Sequence, residues 1–191
     1  MKMIGVKKYF LVTVMIVSIC ITAHAQSVYF TKNGKISFFS KTPLEDIDAK
    51  NNDVASKINS KTGDMEFQLL VKGFHFKKAS MQDHFNEPDY MDSDKYPKAV
   101  FKGKIKNISV ITFSKNGVYN ITVEGDLTIH GVTQKINCSG TVTVNGEKLN
   151  AKTIFTIKLK DYKVSVPSIV TKRVAETIQV TVDCDYQLYK G

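Results

Sequence analysis

A period of two runs through nearly the whole chain, and it narrows the fold more than any other feature. "VYNITVEGDLTIHG" puts Tyr119, Ile121, Val123, Leu127 and Ile129 on one face and Asn120, Thr122, Glu124, Asp126 and Thr128 on the other. Because successive side chains of an extended chain point to opposite sides, this is a strand with one dry face. The same alternation recurs at Ile136, Cys138, Val142 and Val144, at Ala151, Thr153, Phe155, Ile157 and Leu159, and at Ile178, Val180, Val182, Cys184, Tyr186 and Leu188. Between the runs, "KNG" at 32–34, "KTGD" at 61–64, "KNG" at 115–117 and "NGE" at 145–147 supply the glycines that tight turns need. Adding "SVYF", "KISFFS", "DIDAKNNDVASKIN", "MEFQLLVKGFHF" and "AVFKGKIKNISVITF" gives about nine antiparallel strands. That many long strands close into a barrel or split into a sandwich, which removes exposed edges.

Residues 1–25 read differently. Lys2, Lys7 and Lys8 precede an apolar run from Tyr9 to Ile21 and then Ala23-His24-Ala25, the layout of a secretory signal cleaved after Ala25. The expectation is one soluble domain over 26–191, exported to the periplasm or the medium, with no stable membrane insertion once the signal is gone. Without the segment's three lysines, the 27 Lys and Arg still exceed the 18 Asp and Glu by six. Nearly all are scattered lysines, with Arg173 alone as arginine, which speaks against nucleic-acid recognition and for a solvated surface. Cys138 and Cys184 remain, and the sequence leaves a disulfide and two buried thiols equally open. A homodimer is also left open.

Two stretches break the alternation. In residues 78–97, Ser80 can cap a short helix, Met81 and Phe85 share its face, and Pro88 and Pro97 limit it. Residues 161–177 form a second irregular connection. Asp83, Glu87, Asp89, Asp92 and Asp94 on the first crossover read as solvated acids rather than a catalytic pair. No nucleophile or phosphate-loop motif occurs. His75, His84 and His130 lack ligand spacing, so no catalytic residue, metal or cofactor is expected. The better use of this crossover is as an apolar lid made of Met81, Phe85, Tyr90 and Met91, with His84 at its edge. Small inward residues, Ala99, Gly103, Gly125, Gly140 and Ala151, point to empty space inside.

"HFN" at 84–86, "YMDSDKYPKAVFKGKI" at 90–105 and "VEGDLTIHGVTQKI" at 123–136 resemble the YceI-like family of exported, lipocalin-like polyisoprenoid-binding proteins. The resemblance runs from Met65 to about Leu188, whereas residues 28–60 depart from the family's opening strands and mark a variant subgroup. It implies an antiparallel, lipocalin-like barrel of eight to nine strands with a short helical crossover near its mouth, holding an apolar isoprenoid or fatty-acyl chain without chemistry. The tunnel walls would be Phe67, Leu69, Val71, Phe101, Ile121, Leu127 and Phe155, joined by Phe74 and Phe76 if Gly73 marks a bulge that switches parity. The lid would be Met81, His84, Phe85, Tyr90 and Met91. Two other readings stand beside the carrier: a barrel filled by its own side chains that binds another protein, and an envelope hydrolase acting on a lipid-linked substrate. Lys172 and Arg173 are candidates to meet a polar head group.

Overall fold

The computed structural model describes residues 28–166 and 172–189, so the expected signal segment lies outside the described residues. Its strands are β1 (Val28–Lys41), β2 (Asp46–Asn59), β3 (Asp64–Leu70), β4 (His75–Phe76), β5 (Lys98–Ile105), β6 (Gly117–Ile129), β7 (Val132–Asn145), β8 (Lys148–Lys158) and β9 (Thr177–Leu188), with one helix, α1 (Ala79–Asn86). The sheet runs β1-β9-β8-β7-β6-β5-β3-β2, and β1 pairs again with β2. The result is a closed antiparallel barrel of eight strands, with β4 added on β2 as a ninth. Closure leaves no long unpaired edge in the wall.

Two turns follow from glycines read in the sequence, and a third was not read there. Gly63 (φ +79°) and Gly146 (φ +60°) take the left-handed conformation that their hairpins need, and a tighter turn between β6 and β7 places both His130 (φ +51°) and Gly131 (φ +71°) there. With Ile129 opposite Val132, this is a two-residue hairpin of the kind whose twist matches the strands. The His130 ring packs edge-on against Tyr96, centroids 4.4 Å apart.

The expected turn at 32–34 is not one. β1 runs straight through it, taking three steps from Thr31 to Gly34 while β2 takes two from Ser56 to Val54. The slip is reversed at once, with Gly34 to Ile36 opposite Val54 to Asn51. Gly34 is required by proximity rather than by a turn, since a Cβ there would lie 2.5 Å from Cys184 Sγ. The buried Asn51 holds the second slip: its Oδ1 accepts from Asp53 N–H at 2.9 Å, and its Nδ2 donates to the Leu70 carbonyl at 3.0 Å. Gly73 lies so close that a Cβ would sit 2.7 Å from that Nδ2. Gly73 therefore ends a 3-10 turn, Val71–Gly73, and not a bulge. The parity switch expected there does occur, because the chain leaves β3 and returns along β2, where Phe76 stands opposite Ala49.

The two thiols are free. β8 separates their strands, which puts them at least two strand spacings, about 9–10 Å, apart, and Cys184 is level with Val142 rather than with Cys138. A disulfide needs Cα atoms within about 7 Å. Ser80 likewise does not cap α1, since the N-cap position is Lys78 and carries no side-chain capping bond. On the outer face, some lysines are engaged in cross-strand pairs such as Lys152 with Asp183 at 3.0 Å. Among the described residues, no helix is long and apolar enough to cross a membrane.

The interior has two halves. Away from α1, Ile58, Ile105, Ile121, Val123, Val142, Val144, Leu149 and Tyr186 fill the barrel completely. Tyr186 Oη bonds Ser56 Oγ at 2.8 Å, and Ser56 in turn donates to the Glu66 carbonyl at 2.7 Å, so this deeply buried phenol is satisfied. Toward α1 the interior is hollow.

Candidate ligand-binding site

The hollow half is a cavity of about 440 Å3, opening at the end where β1 turns into β2 and α1 crosses the rim. Its walls are the dry faces of the strands near that end: Ile36 and Phe38 from β1, Phe67 and Leu69 from β3, Ala99 and Phe101 from β5, Leu127 and Ile129 from β6, Phe155 and Ile157 from β8, and Ile178 and Val180 from β9. These residues are inward because of their parity alone.

Over the rim, four rings pack together. Phe38 is the hub, with centroids 5.2 Å from Phe74, 5.7 Å from Phe76 and 5.6 Å from Phe85. Phe85 also lies 5.0 Å from Phe76, so a single side chain of α1 inserts into rings supplied by β1 and by the segment around β4. Met81, His84, Tyr90 and Met91 complete the lid lining. The rest of the crossover is knitted by its own backbone. Met91 N–H donates to the Phe85 carbonyl, Asp92 N–H to that of Glu87, and Ser93 N–H and Oγ both to that of Asn86. Its acids lie outside the cavity: Asp94 pairs with Lys72 at 2.6 Å and Glu87 with His84 Nδ1 at 3.1 Å.

The mouth is polar at one point. Glu45 accepts a hydrogen bond from Lys78 Nζ at 2.8 Å and faces Arg173 Nη1 at 3.9 Å, and all three residues line the opening. The Lys78 hydrogen bond, with the charge of both cations, holds the Glu45 carboxyl below the usual range. Ser40 Oγ accepts from Ala175 N–H at 2.9 Å and so ties the segment carrying Arg173 to β1. Lys172, the other expected cation, is exposed and does not line the cavity.

Of the residues expected to form the tunnel walls and the lid, all line this cavity except Ile121, which is buried in the filled half. Its parity is right and its level is wrong: Leu127 faces the cavity, and Ile121 lies six residues further from the mouth on the same strand. The small inward residues also behave otherwise than expected. Ala99 alone among the five borders the cavity, since the gaps at Gly103 and Gly125 are taken up by the Phe101 ring. Ile36, Phe38 and Ile47 escaped the sequence reading, although Ile36, Phe38 and Ser40 share one parity in "KISFFS" and could have been read by it. Among the described residues no three His, Cys, Asp or Glu side chains come together as metal ligands would.

Comparison with known proteins gives the same architecture. No curated protein matches the chain. A polyisoprenoid binding domain from Saccharophagus degradans, implicated in plant cell wall breakdown, shares 12% identity over 86% of this chain and 99% of its own, with a TM-score of 0.74. BcnA of Burkholderia cenocepacia shares 21% identity over 80% of this chain and 95% of its own, with a TM-score of 0.67. A YceI protein of Campylobacter jejuni shares 16% identity over 75% of this chain and 85% of its own, with a TM-score of 0.59. At such identities the likeness is one of fold. The family model for the YceI-like domain, however, matches residues 21–186, most of the sequence. This chain belongs to the YceI-like family.

Proposed function

We propose that this protein is an exported carrier that holds one long apolar molecule, isoprenoid or fatty-acyl, in the upper half of its barrel and performs no chemistry on it. The observation that carries the reading is the apolar cavity of about 440 Å3, walled by alternating strand positions and roofed by the phenylalanine cluster. A barrel filled by its own side chains would have no such space. The polyisoprenoid binding domain of Saccharophagus degradans has the same fold, which supports an isoprenoid as one class of guest. Burial supplies the affinity, since each methylene moved out of water contributes about 0.8 kcal/mol before ordering costs. Lys78 and Arg173 against Glu45 leave the mouth with one surplus positive charge, which suits a guest with an anionic or strongly polar end. None of the crossover's acids lines the cavity, and Asp94 and Glu87 are engaged by Lys72 and His84, so we assign them no catalytic role. Export rests on the signal layout of residues 1–25.

Native mass spectrometry of the protein purified from its host's envelope, without detergent, tests the proposal. The expected result is a retained mass of several hundred daltons that extracts into organic solvent. A bare protein mass that stays bare after incubation with prenyl and acyl lipids would overturn it and favour a surface that binds another protein.

A further inference from the structure

We propose that Phe101, laid across a pair of glycines, is the floor that sets how long a chain the cavity accepts; this rests on the carrier reading and adds a length limit to it. Phe67, Phe101 and Leu127 stand opposite one another in a single cross-strand row of β3, β5 and β6, and all three line the cavity. In the next row away from the mouth on that parity, Gly103 stands opposite Gly125. Two facing glycines would leave a hole through the floor into the filled half. The Phe101 ring closes it: a Cβ on Gly125 would lie 2.7 Å from Phe101 Cζ, and one on Gly103 would lie closer still. The ring is only 7% exposed, so it is packed down on the glycines rather than standing in the cavity. Below it, Ile105 and Val123 are buried and do not line this cavity, so its hollow space ends at this row.

The volume converts to a length. At about 30 Å3 for each methylene-sized group, the share of a water molecule in the liquid, 440 Å3 accommodates about 15 such groups. A longer chain must leave its remainder outside the mouth, where methylenes stay in water and add no affinity. The cavity therefore encloses about 15 carbons of an acyl or prenyl chain.

The experiment is competitive binding of straight-chain saturated fatty acids from about eight to about 24 carbons to the delipidated, full mature protein. Affinity should rise about fourfold for each added methylene, then level off near 15–16 carbons. Phe101→Ala should move the break to a chain about three carbons longer, because removing the ring opens on the order of 100 Å3, within the range of engineered core cavities. Leu127→Phe, in the same row, should move it the other way by one or two carbons. Thermal melts show which variants are folded, and either variant alone decides the matter. Affinity that keeps rising through the longest acid, or a break that neither variant moves, would overturn the floor while leaving the carrier intact. No binding of any acid or prenyl alcohol to the unaltered protein would overturn both.

Discussion

Cys184 is fully buried where β1 slips past β2, beneath Gly34, with its Sγ 3.9 Å from the Lys35 carbonyl. Burial pushes its thiol up to about 11 from the ordinary value of 9.0. The unfolded chain releases this proton near 9 while the folded chain holds it to about 11, so over that window the unfolded state binds fewer protons and stability falls as pH rises. The loss should reach about 2–3 kcal/mol at the top of the window, at 1.36 kcal/mol per unit. Urea unfolding at pH 8 and near pH 11, on the unaltered chain and on Cys184→Ala, checks it: the variant starts lower because of its cavity but should lose less between the two. Equal losses would assign the alkaline fall to other groups. That Cys184 lies inward was legible from the alternation of "IQVTVDCDYQL", and its solitude was not, because alternation does not give the pairing order that sets β8 between the two cysteines. Asn51 was opaque for a similar reason. In "KNND" it reads as a polar position, and its worth comes from a carbonyl 19 residues away.

At the scale of elements, alternation revealed the strands and could not reveal where two of them slip. "KNG" has the same composition at 32–34, inside a continuous strand, as at 115–117, between two strands, and only pairing with β2 and β9 distinguishes them. α1 shows a different limit. It has no capping side chain and no buried residue, so neither local propensity nor its own burial accounts for its place. What holds it is Phe85 among Phe38, Phe74 and Phe76, together with Lys78 on Glu45. The sequence showed Phe85 as a lid residue, but Phe38 lies far away along the chain in β1, and its role could not be seen before the strands were paired. Phe85→Ala should therefore release α1 alone. Amide hydrogen exchange across Ala79–Asn86 should lose about one order of magnitude of protection, less than truncation of a fully buried Phe would remove because Phe85 is half-buried, while β6 and β7 exchange as before. Unchanged protection of α1 would mean that the backbone bonds of the crossover hold the lid without its ring.

Taken whole, the barrel divides its labour along its axis, and this is the feature least legible in the sequence. Inward positions of both halves carry the same residue types at the same period, so alternation tells inside from outside and says nothing of filled from hollow; Ile121 and Leu127 differ only in level. The division follows from closure, because the side chains of Ile105, Val142, Leu149 and Tyr186 meet across the filled end, whereas Phe38, Phe74, Phe76 and Phe85 stack over the rim and leave space beneath. Stability and binding should therefore separate by mutation. Ile105→Ala removes bulk from a site with no exposure and should cost about 2–5 kcal/mol in urea unfolding. Its affinity for hexadecanoic acid should stay within about twofold, since the residue borders no part of the cavity. Phe76→Ala, on the short added strand at the rim, should do the reverse. It should lose about tenfold or more in affinity, because a ring that covers the guest is gone, and less than about 1.5 kcal/mol of stability, because the closed wall of eight strands does not depend on β4. If both variants instead lose stability and affinity in proportion, the two halves form one cooperative core, and the filled end supports the guest as much as the walls around it do.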